Sequence, residues 1–168
     1  MEKKNQPNNL NYYLSGDIED YKILDFVSFI NDIEDKNSTV NLYISSDGGD
    51  AIMGLFLYDF VKKSNIVINT YAVGKCMSSA FLIFLAGHNR YAHKNTIFMY
   101  HAISMNDDTN HTHLSLQAET KLMKKLTKNM IKLVKNETHL PKKKLKQLHC
   151  LYLSEKKALK YKIIQKIV

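Results

Sequence analysis

The sequence predicts an α/β domain in which a largely parallel sheet carries helices in layers. Short apolar segments at 11–18, 40–44 and 66–73 are typical of strands, and amphipathic patterns at 18–30 and 51–63 are typical of the helices between them. A third helix follows the last of these strands, so three successive strand–helix pairs are complete by residue 86. A chain of 168 residues is long enough for one such domain with a proper core.

The two ends of the chain are predicted differently. Residues 1–10 are polar and are expected to be a disordered tail, so the domain is expected to span residues 11–168. Beyond residue 112 the spacing of apolar residues predicts a long amphipathic helix at about 113–136, which could project to meet a partner subunit. The remaining tail is predicted as a short helix started by Pro141, an extended piece at 152–153, a helix capped by Ser154 and a strand at 163–168.

The charge of the chain is unevenly distributed. Residues 1–100 carry 9 basic and 11 acidic side chains, whereas residues 101–168 carry 15 basic and 5 acidic ones. Only one of the 24 basic residues is an arginine, Arg90, although nucleic-acid interfaces use arginine for bidentate and stacking contacts. We therefore interpret the lysines mainly as solvated helix faces and expect no nucleic-acid partner.

Composition also bears on location and on metal binding. No apolar run is long enough to cross a membrane, and the N-terminus lacks the apolar core of a signal peptide. Cys76 and Cys150 fit neither a disulfide pattern nor a metal site, which indicates a reducing compartment. His111 and His113 have no further ligands at suitable spacing. We expect a cytoplasmic protein, or one of a plastid or similar organelle, without a metal or cofactor.

Residues 74–87 form the segment around which the rest of the sequence is organised. Gly74 is predicted to end the preceding strand, and a buried helix is predicted to start at Ser78 or Ser79. A serine hydroxyl there lies at the amide-rich, positive end of the helix dipole, where developing negative charge is stabilised. The same serine could serve only as an N-cap, so this segment alone leaves both interpretations open.

Two further features are predicted at the same edge of the sheet, because each follows the carboxyl end of a parallel strand. This edge is where ligands bind in such folds. Gly48 and Gly49 form either a plain strand-to-helix turn or a turn whose amides can approach a substrate closely. They match neither a Rossmann nor a P-loop motif, so no nucleotide is expected. His101 directly follows a predicted strand at 96–100, where a serine nucleophile would need a general base; a structural histidine is the alternative.

Together these segments resemble the proteolytic subunit of the caseinolytic Clp protease, a family of serine peptidases with the ClpP/crotonase-like fold. Residues 13–18 resemble the first strand and turn of that family, and residues 42–49 resemble its YINSPGG segment. Residues 74–79 resemble its GQAASM segment, and residues 98–101 resemble the strand that delivers its catalytic histidine. Residues 152–161 resemble its FLSAPEAVEY ending, so the resemblance covers nearly the whole predicted domain.

The resemblance implies peptide-bond hydrolysis inside an oligomeric chamber. Ser78 would be the nucleophile, His101 the base, and the backbone amides of Gly49 and Ser79 the oxyanion hole. It also implies a heptameric ring, stacked into a double ring through the handle helix at 113–136. The ring would contain copies of this chain or a second ClpP-like subunit, and an AAA+ unfoldase of the ClpX, ClpA or ClpC type would feed it with substrate.

The chain departs from the family pattern in three ways. The third member of the triad should be an Asp in the segment 138–154, yet this segment contains no Asp or Glu, and Gln147 is the candidate polar stand-in. Asp47 replaces the proline before Gly-Gly, and Ser79 replaces the methionine after the nucleophile, which makes Ser79 an alternative nucleophile. Because the chain begins close to the first strand, we expect the axial loops that contact the ATPase to be largely missing.

These departures leave several interpretations open. The first is a ClpP-like serine peptidase of altered efficiency, with a stand-in for the acid or with a Ser–His dyad. The second is a catalytically inactive, ClpR-like subunit of a Clp protease ring. The serine and histidine favour the first, and the missing acid favours the second. An acyl-CoA enzyme of the crotonase type and an unrelated binding module are the remaining alternatives.

Overall fold

The computed structural model of the chain describes residues 8–103, 112–146 and 150–168, and the following elements are those of these residues. The strands are β1 (Asn9–Ser15), β2 (Thr39–Ser46), β3 (Val67–Met77), β4 (Arg90–Ala92), β5 (Ile97–Tyr100), β6 (Leu151–Ser154) and β7 (Lys166–Ile167). The helices are α1 (Asp20–Asn31), α2 (Ala51–Lys63), α3 (Ser78–Leu85), α4 (His113–Glu137), α5 (Lys142–Leu145) and α6 (Glu155–Lys160).

These strands form one sheet. The strand order is β1-β2-β3-β4-β7, and β5 pairs both with β3 and with β6. The pairs are parallel except for β5 and β6, which are antiparallel. Because β2, β3 and β5 run in the same direction, their carboxyl ends lie at one edge of the sheet. The predicted layered α/β architecture with repeated β-α-β units is confirmed.

Helix α3 lies at the centre of the core. Its residues from Ser79 to Leu85 are all buried, and it packs between α2, β3 and β5. The sequence of α3 is apolar on every side, so no face of the helix is suited to contact with water. The helix is therefore buried from Ser79 onward. The predicted buried helix is therefore confirmed, and it begins at Ser78.

Strand β3 continues farther than predicted. The sequence predicts that Gly74 ends the strand, but β3 extends to Met77. Gly74 has a φ angle of 69°, and the strand changes its neighbour at this point. Residues 70–72 pair with β4, whereas residues 75–77 pair with β5. The glycine therefore redirects the strand, and the added residues bring Ser78 next to β5.

The N-terminal boundary and the handle helix are close to their predicted positions. Strand β1 begins at Asn9, so residues 9 and 10 belong to the sheet and not to the predicted disordered tail. The rest of that tail, residues 1–7, lies outside the described residues. Helix α4 spans His113–Glu137, one residue more than predicted. Thr112 caps it by accepting a hydrogen bond from the Ser115 amide at 3.2 Å.

The C-terminal strand is shorter than predicted. The sequence predicts a strand at 163–168, but only Lys166–Ile167 pairs with β4. The amide of Ile163 instead donates to the carbonyl oxygen of Ala158, after Lys162 adopts a positive φ of 52°. This turn ends α6 and buries Ile163 and Ile164 in the core, so these residues do not extend β7.

A partly buried ionic cluster anchors the C-terminal end of α4. Glu137 accepts hydrogen bonds from the hydroxyl of Tyr58 at 2.6 Å and from the guanidinium of Arg90 at 2.9 Å, and it pairs with Lys62 at 2.9 Å. Arg90 also donates to the carbonyl oxygen of Leu85 at 3.0 Å. Burial raises the pKa of Glu137, but the hydrogen bonds from Tyr58 and Lys62 outweigh burial and hold that pKa below its usual value. The cluster joins α4 to α2 and β4.

We expect Glu137→Gln to lower the free energy of unfolding by about 3 kcal/mol near neutral pH, because it leaves Arg90 buried without its counter-ion. The lowered pKa means that the carboxylate stabilises the fold above its ordinary pKa of 4.5 and loses this effect as the pH falls through the folded-state value. Urea unfolding of both proteins at about pH 7 and about pH 3.5 checks this. The exposed carboxylate of Asp59 provides the control, Asp59→Asn. An equal loss of stability by the Glu137 variant at both pH values would contradict the prediction.

Candidate active site

Ser78 and His101 meet at the carboxyl edge of the sheet. Strands β3 and β5 are parallel neighbours, with Met77 opposite Met99, so the residues that follow them lie side by side. The Nε2 atom of His101 lies 2.7 Å from the Oγ atom of Ser78, within hydrogen-bond distance. This is the geometry that a serine nucleophile and its general base require.

Buried side chains at every second residue of strand β5 hold His101 in this position. Phe98 and Tyr100 point into the core, where Tyr100 makes an edge-on contact with the ring of Phe81 at 6.3 Å. Burial also raises the pKa of Tyr100 to about 12. Because side chains alternate along a strand, Phe98 and Tyr100 point to the same side and fix β5 against the core. His101 directly follows Tyr100, so its backbone position is fixed as well.

The backbone of Ser78 adopts an uncommon conformation. Its φ angle is 52°, a left-handed value that a residue with a Cβ atom adopts only at a cost of about 1–2 kcal/mol. Met77 before it is extended, and the helical hydrogen bonding of α3 starts directly after it. The chain thus turns sharply from strand to helix at Ser78. This turn places the serine side chain at the N-terminus of α3, where the first amides have no acceptor within the helix.

The Gly48–Gly49 turn lies against Ser78. A Cβ atom added at Gly48 would lie 2.6 Å from Cβ of Ser78, and one added at Gly49 would lie 2.4 Å from the carbonyl oxygen of Ile18. Both positions also have positive φ angles, 111° and 149°, so the turn requires glycine twice. The backbone of Gly48 therefore lies directly against Ser78.

Two hydrogen bonds hold this turn in place. Ser46 Oγ accepts a hydrogen bond from the amide of Gly48 at 3.0 Å, and the carbonyl oxygen of Gly48 accepts one from Ile18 at 2.8 Å. Asp47 forms an ion pair with Lys75 on β3. The sequence motifs do not single out Ser46 as the residue that fixes this turn. A serine two residues before a glycine turn is the signal that could have indicated it.

The predicted site residues line one small cavity of about 60 Å³. Ser78, His101, Gly49 and Ser79 all contribute to its wall. The sequence motifs do not single out the apolar residues that complete the wall, which are Ala51, Leu82, Ile103 and Met130. The first three follow Gly49, Ser79 and His101 within three positions, whereas Met130 comes from the distant helix α4. The fifth predicted site residue, Gln147, lies outside the described residues.

Ser79 differs from Ser78 in its surroundings. Its side chain is buried, and among the described residues its Oγ atom has no hydrogen-bond partner. Its Cβ atom faces α2, since a Cβ added at Gly54 would lie 2.9 Å from it. Its backbone amide belongs to the first turn of α3. The geometry therefore pairs His101 with Ser78, whereas the side chain of Ser79 faces α2.

Other kinds of site receive no support within the described part of the chain. Among residues 8–103, 112–146 and 150–168, no group of three or more His, Cys, Asp or Glu side chains could hold a metal ion. No described helix combines the length and hydropathy that a membrane-spanning segment needs. Within the same ranges, no carboxylate forms a hydrogen bond with His101.

Comparisons with known proteins place the chain in a family. The family model described as Clp protease matches residues 13–168. An ATP-dependent Clp protease proteolytic subunit of Deinococcus radiodurans is 28% identical over 141 residues, which cover 82% of this chain and 68% of that protein. The protein of the same name from Paracoccus denitrificans is 32% identical over 88 residues, which cover 51% of this chain and 44% of that protein.

The fold comparison agrees with the sequence comparison. A solved structure of a point mutant of ClpP1 from Listeria monocytogenes matches with a TM-score of 0.80 and 20% sequence identity. The match covers 94% of this chain and 90% of that one, so it extends over nearly the whole ClpP/crotonase-like fold. The match of the family model over residues 13–168, together with this shared fold, shows that the chain belongs to the Clp protease family.

Proposed function

We propose that this protein is a serine endopeptidase subunit that hydrolyses peptide bonds inside an oligomeric chamber. The observation that carries the proposal is the 2.7 Å distance between His101 Nε2 and Ser78 Oγ at a left-handed strand-to-helix turn. A histidine in this position can remove the hydroxyl proton as the oxygen attacks. The family match and the names of the relatives, proteolytic subunits, support the same function.

The reaction proceeds in two stages. Ser78 Oγ attacks the peptide carbonyl while His101 accepts its proton, and the proton then passes to the departing amine. The amides of Gly49 and Ser79 donate hydrogen bonds to the oxyanion that forms in each tetrahedral intermediate. Water, with His101 again as base, then releases the acyl group from Ser78. Gly49 and Ser79 both line the cavity that contains the serine, which supports this assignment.

The third position of the triad is the least usual part of the proposal. Segment 138–154 contains no Asp or Glu, so His101 is oriented by a polar stand-in such as Gln147, or it acts in a Ser–His dyad. Without a carboxylate on the second ring nitrogen, the imidazolium is less stabilised, and turnover is slower than in a complete triad. The same missing acid is the observation that favours the second candidate function, an inactive ClpR-like ring subunit.

We propose a ring assembly for either function. The ring is heptameric, stacked into a double ring, and composed of this chain alone or of this chain with a second ClpP-like subunit. Exposed apolar side chains on α4, including Leu114 and Leu122, support contacts of this helix with another subunit. The relatives are named ATP-dependent, which supports an AAA+ unfoldase of the ClpX, ClpA or ClpC type as partner. The location that we propose is the cytoplasm, with a plastid or similar organelle as the alternative.

Covalent labelling of the serine tests the proposal directly. A fluorophosphonate probe reacts only with an activated hydroxyl, so we expect about one label per wild-type subunit by intact mass. We expect no labelling of Ser78→Ala, and we expect labelling of His101→Ala to be slower by about 10³-fold because the base is lost. Ser79→Ala is the matched control, since it removes the neighbouring hydroxyl and keeps the backbone amide.

Two results would refute the peptidase proposal. The first is an assembled wild-type ring that takes up no label, which would leave the structural ClpR-like subunit as the function. The second is a label that persists in Ser78→Ala and disappears in Ser79→Ala, because the nucleophile would then be Ser79.

A further inference from the structure

A groove of about 660 Å³ runs along α4 beside the candidate active site. Its floor is apolar and is formed by Ala102 and Ile103 on one side and by Leu116, Met123 and Ile131 of α4 on the other. Ile103 also lines the small cavity that contains Ser78 and His101. The groove and the cavity therefore share Ile103 as a common wall residue.

The rim of the groove is basic at the end near Ser78. Lys124 and Lys128 line it one helical turn apart, and both side chains are exposed. Neither lysine belongs to an ion pair among the described residues. Glu119, the carboxylate among the lining residues, lies about one turn and a half farther along the helix, at the end with Leu116.

We infer that this groove selects substrate peptides that carry Asp or Glu side chains near the scissile bond. The inference rests on the proposed peptidase function and specifies its substrate class. An apolar side chain of the peptide enters the floor, and an acidic side chain pairs with Lys124 or Lys128 on the rim. Two lysines that have no acidic partner among the described residues, above an apolar floor, attract an acidic group and repel a basic one.

The dimensions of the helix indicate how far the acidic side chain lies from the scissile bond. Met130 of α4 lines the serine cavity, and Lys128 and Lys124 precede it by two and six residues. At about 1.5 Å per helical residue, these lysines lie about 3 Å and about 9 Å along the axis from Met130. An extended peptide advances about 3.3 Å per residue, so the selected acidic side chains lie within about four residues of the cleaved bond.

Peptide hydrolysis with matched charge variants tests the inference. The fluorogenic peptides share one apolar residue at the cleavage site. Each peptide carries Glu, Gln or Lys at one of the four positions on either side of the cleaved bond. For the wild type we expect kcat/KM to be about tenfold higher with Glu than with Lys at one or more positions. We expect this preference to weaken with added salt.

The variants separate local recognition from overall charge. Lys124→Glu/Lys128→Glu should reverse the preference, and Lys124→Gln/Lys128→Gln should abolish it. The control Lys125→Glu/Lys132→Glu changes the net charge by the same amount on exposed positions of the same helix that do not line the groove. We expect this control to keep the wild-type preference.

A binding measurement separates failure of this inference from failure of the peptidase proposal. Fluorescence anisotropy of the labelled peptides with the Ser78→Ala protein reports recognition without turnover. A Glu preference in binding that depends on Lys124 and Lys128 supports the inference even if the wild type cleaves nothing. Equal binding and cleavage of all peptides would overturn it, and so would a reversal by Lys125→Glu/Lys132→Glu as large as that by the groove variant.

Discussion

Replacement of His101 by alanine is expected to lower kcat/KM for peptide hydrolysis by about 10³-fold while the fold remains intact. The imidazole Nε2 atom lies 2.7 Å from Ser78 Oγ, so its loss leaves the serine proton without an acceptor and the departing amine without a donor. The side chain is only half buried, so its removal costs little packing energy. Activity should therefore fall far more than stability.

Kinetics on a fluorogenic peptide, together with thermal unfolding, check this prediction. His93→Ala is the matched control, because His93 is also half buried but lies beside Tyr43, away from the serine cavity. We expect that control to retain most of the wild-type kcat/KM. A His101→Ala protein with nearly wild-type turnover would mean that another group removes the serine proton.

Replacement of Gly48 by alanine is expected to reduce activity by at least about 10²-fold, because it displaces the nucleophile. The added Cβ atom would lie 2.6 Å from Cβ of Ser78 and 3.0 Å from the carbonyl oxygen of Met77. Neither neighbour is the end of a flexible side chain, so either Ser78 or the Gly48–Gly49 turn must move. The φ angle of 111° adds backbone strain, and we expect a loss of stability of about 3 kcal/mol.

Gly74→Ala is the matched control for this substitution. Gly74 also has a positive φ, 69°, but a Cβ atom there would meet only Ser45 Oγ, at 3.8 Å. Both variants carry backbone strain, and only one of them presses on the serine. We expect Gly74→Ala to lose stability and to keep its activity per folded subunit, measured by fluorophosphonate labelling and peptide turnover. Wild-type labelling of Gly48→Ala would contradict the close contact between this turn and Ser78.

Most of the fold could be predicted from local pattern. The spacing of apolar residues predicts α2 at its observed bounds and α4 to within one residue, because a helix that packs on one side must repeat its apolar residues every turn. The uniform apolar run after Ser78 predicts a helix buried on all sides, and the structure confirms it. Such local patterns of apolar residues report burial directly, so no knowledge of the partner elements is needed.

The errors concern strand ends, where the neighbouring strand decides the outcome. Gly74 is predicted to end β3, yet β3 continues because β5 offers its residues 97–99 as a new hydrogen-bonding partner. The predicted strand at 163–168 is reduced to two residues, because the turn after α6 takes up the amide of Ile163. A strand end depends on which chain segment lies beside it, and that segment is distant in sequence.

The candidate site divides in the same way between sequence and tertiary structure. The sequence by itself indicates a serine at a helix start, Ser78 or Ser79, together with His101 after a strand and a Gly-Gly turn, because each is a local motif. The family resemblance then implies Ser78 as the nucleophile of an acyl transfer. Only the tertiary structure decides that His101 bonds to Ser78 while the Ser79 side chain faces α2. It also decides which residues close the cavity and which lysines of α4 border the groove. The physical reason is that a motif specifies local backbone conformation, whereas distances between motifs depend on how sheet and helices pack.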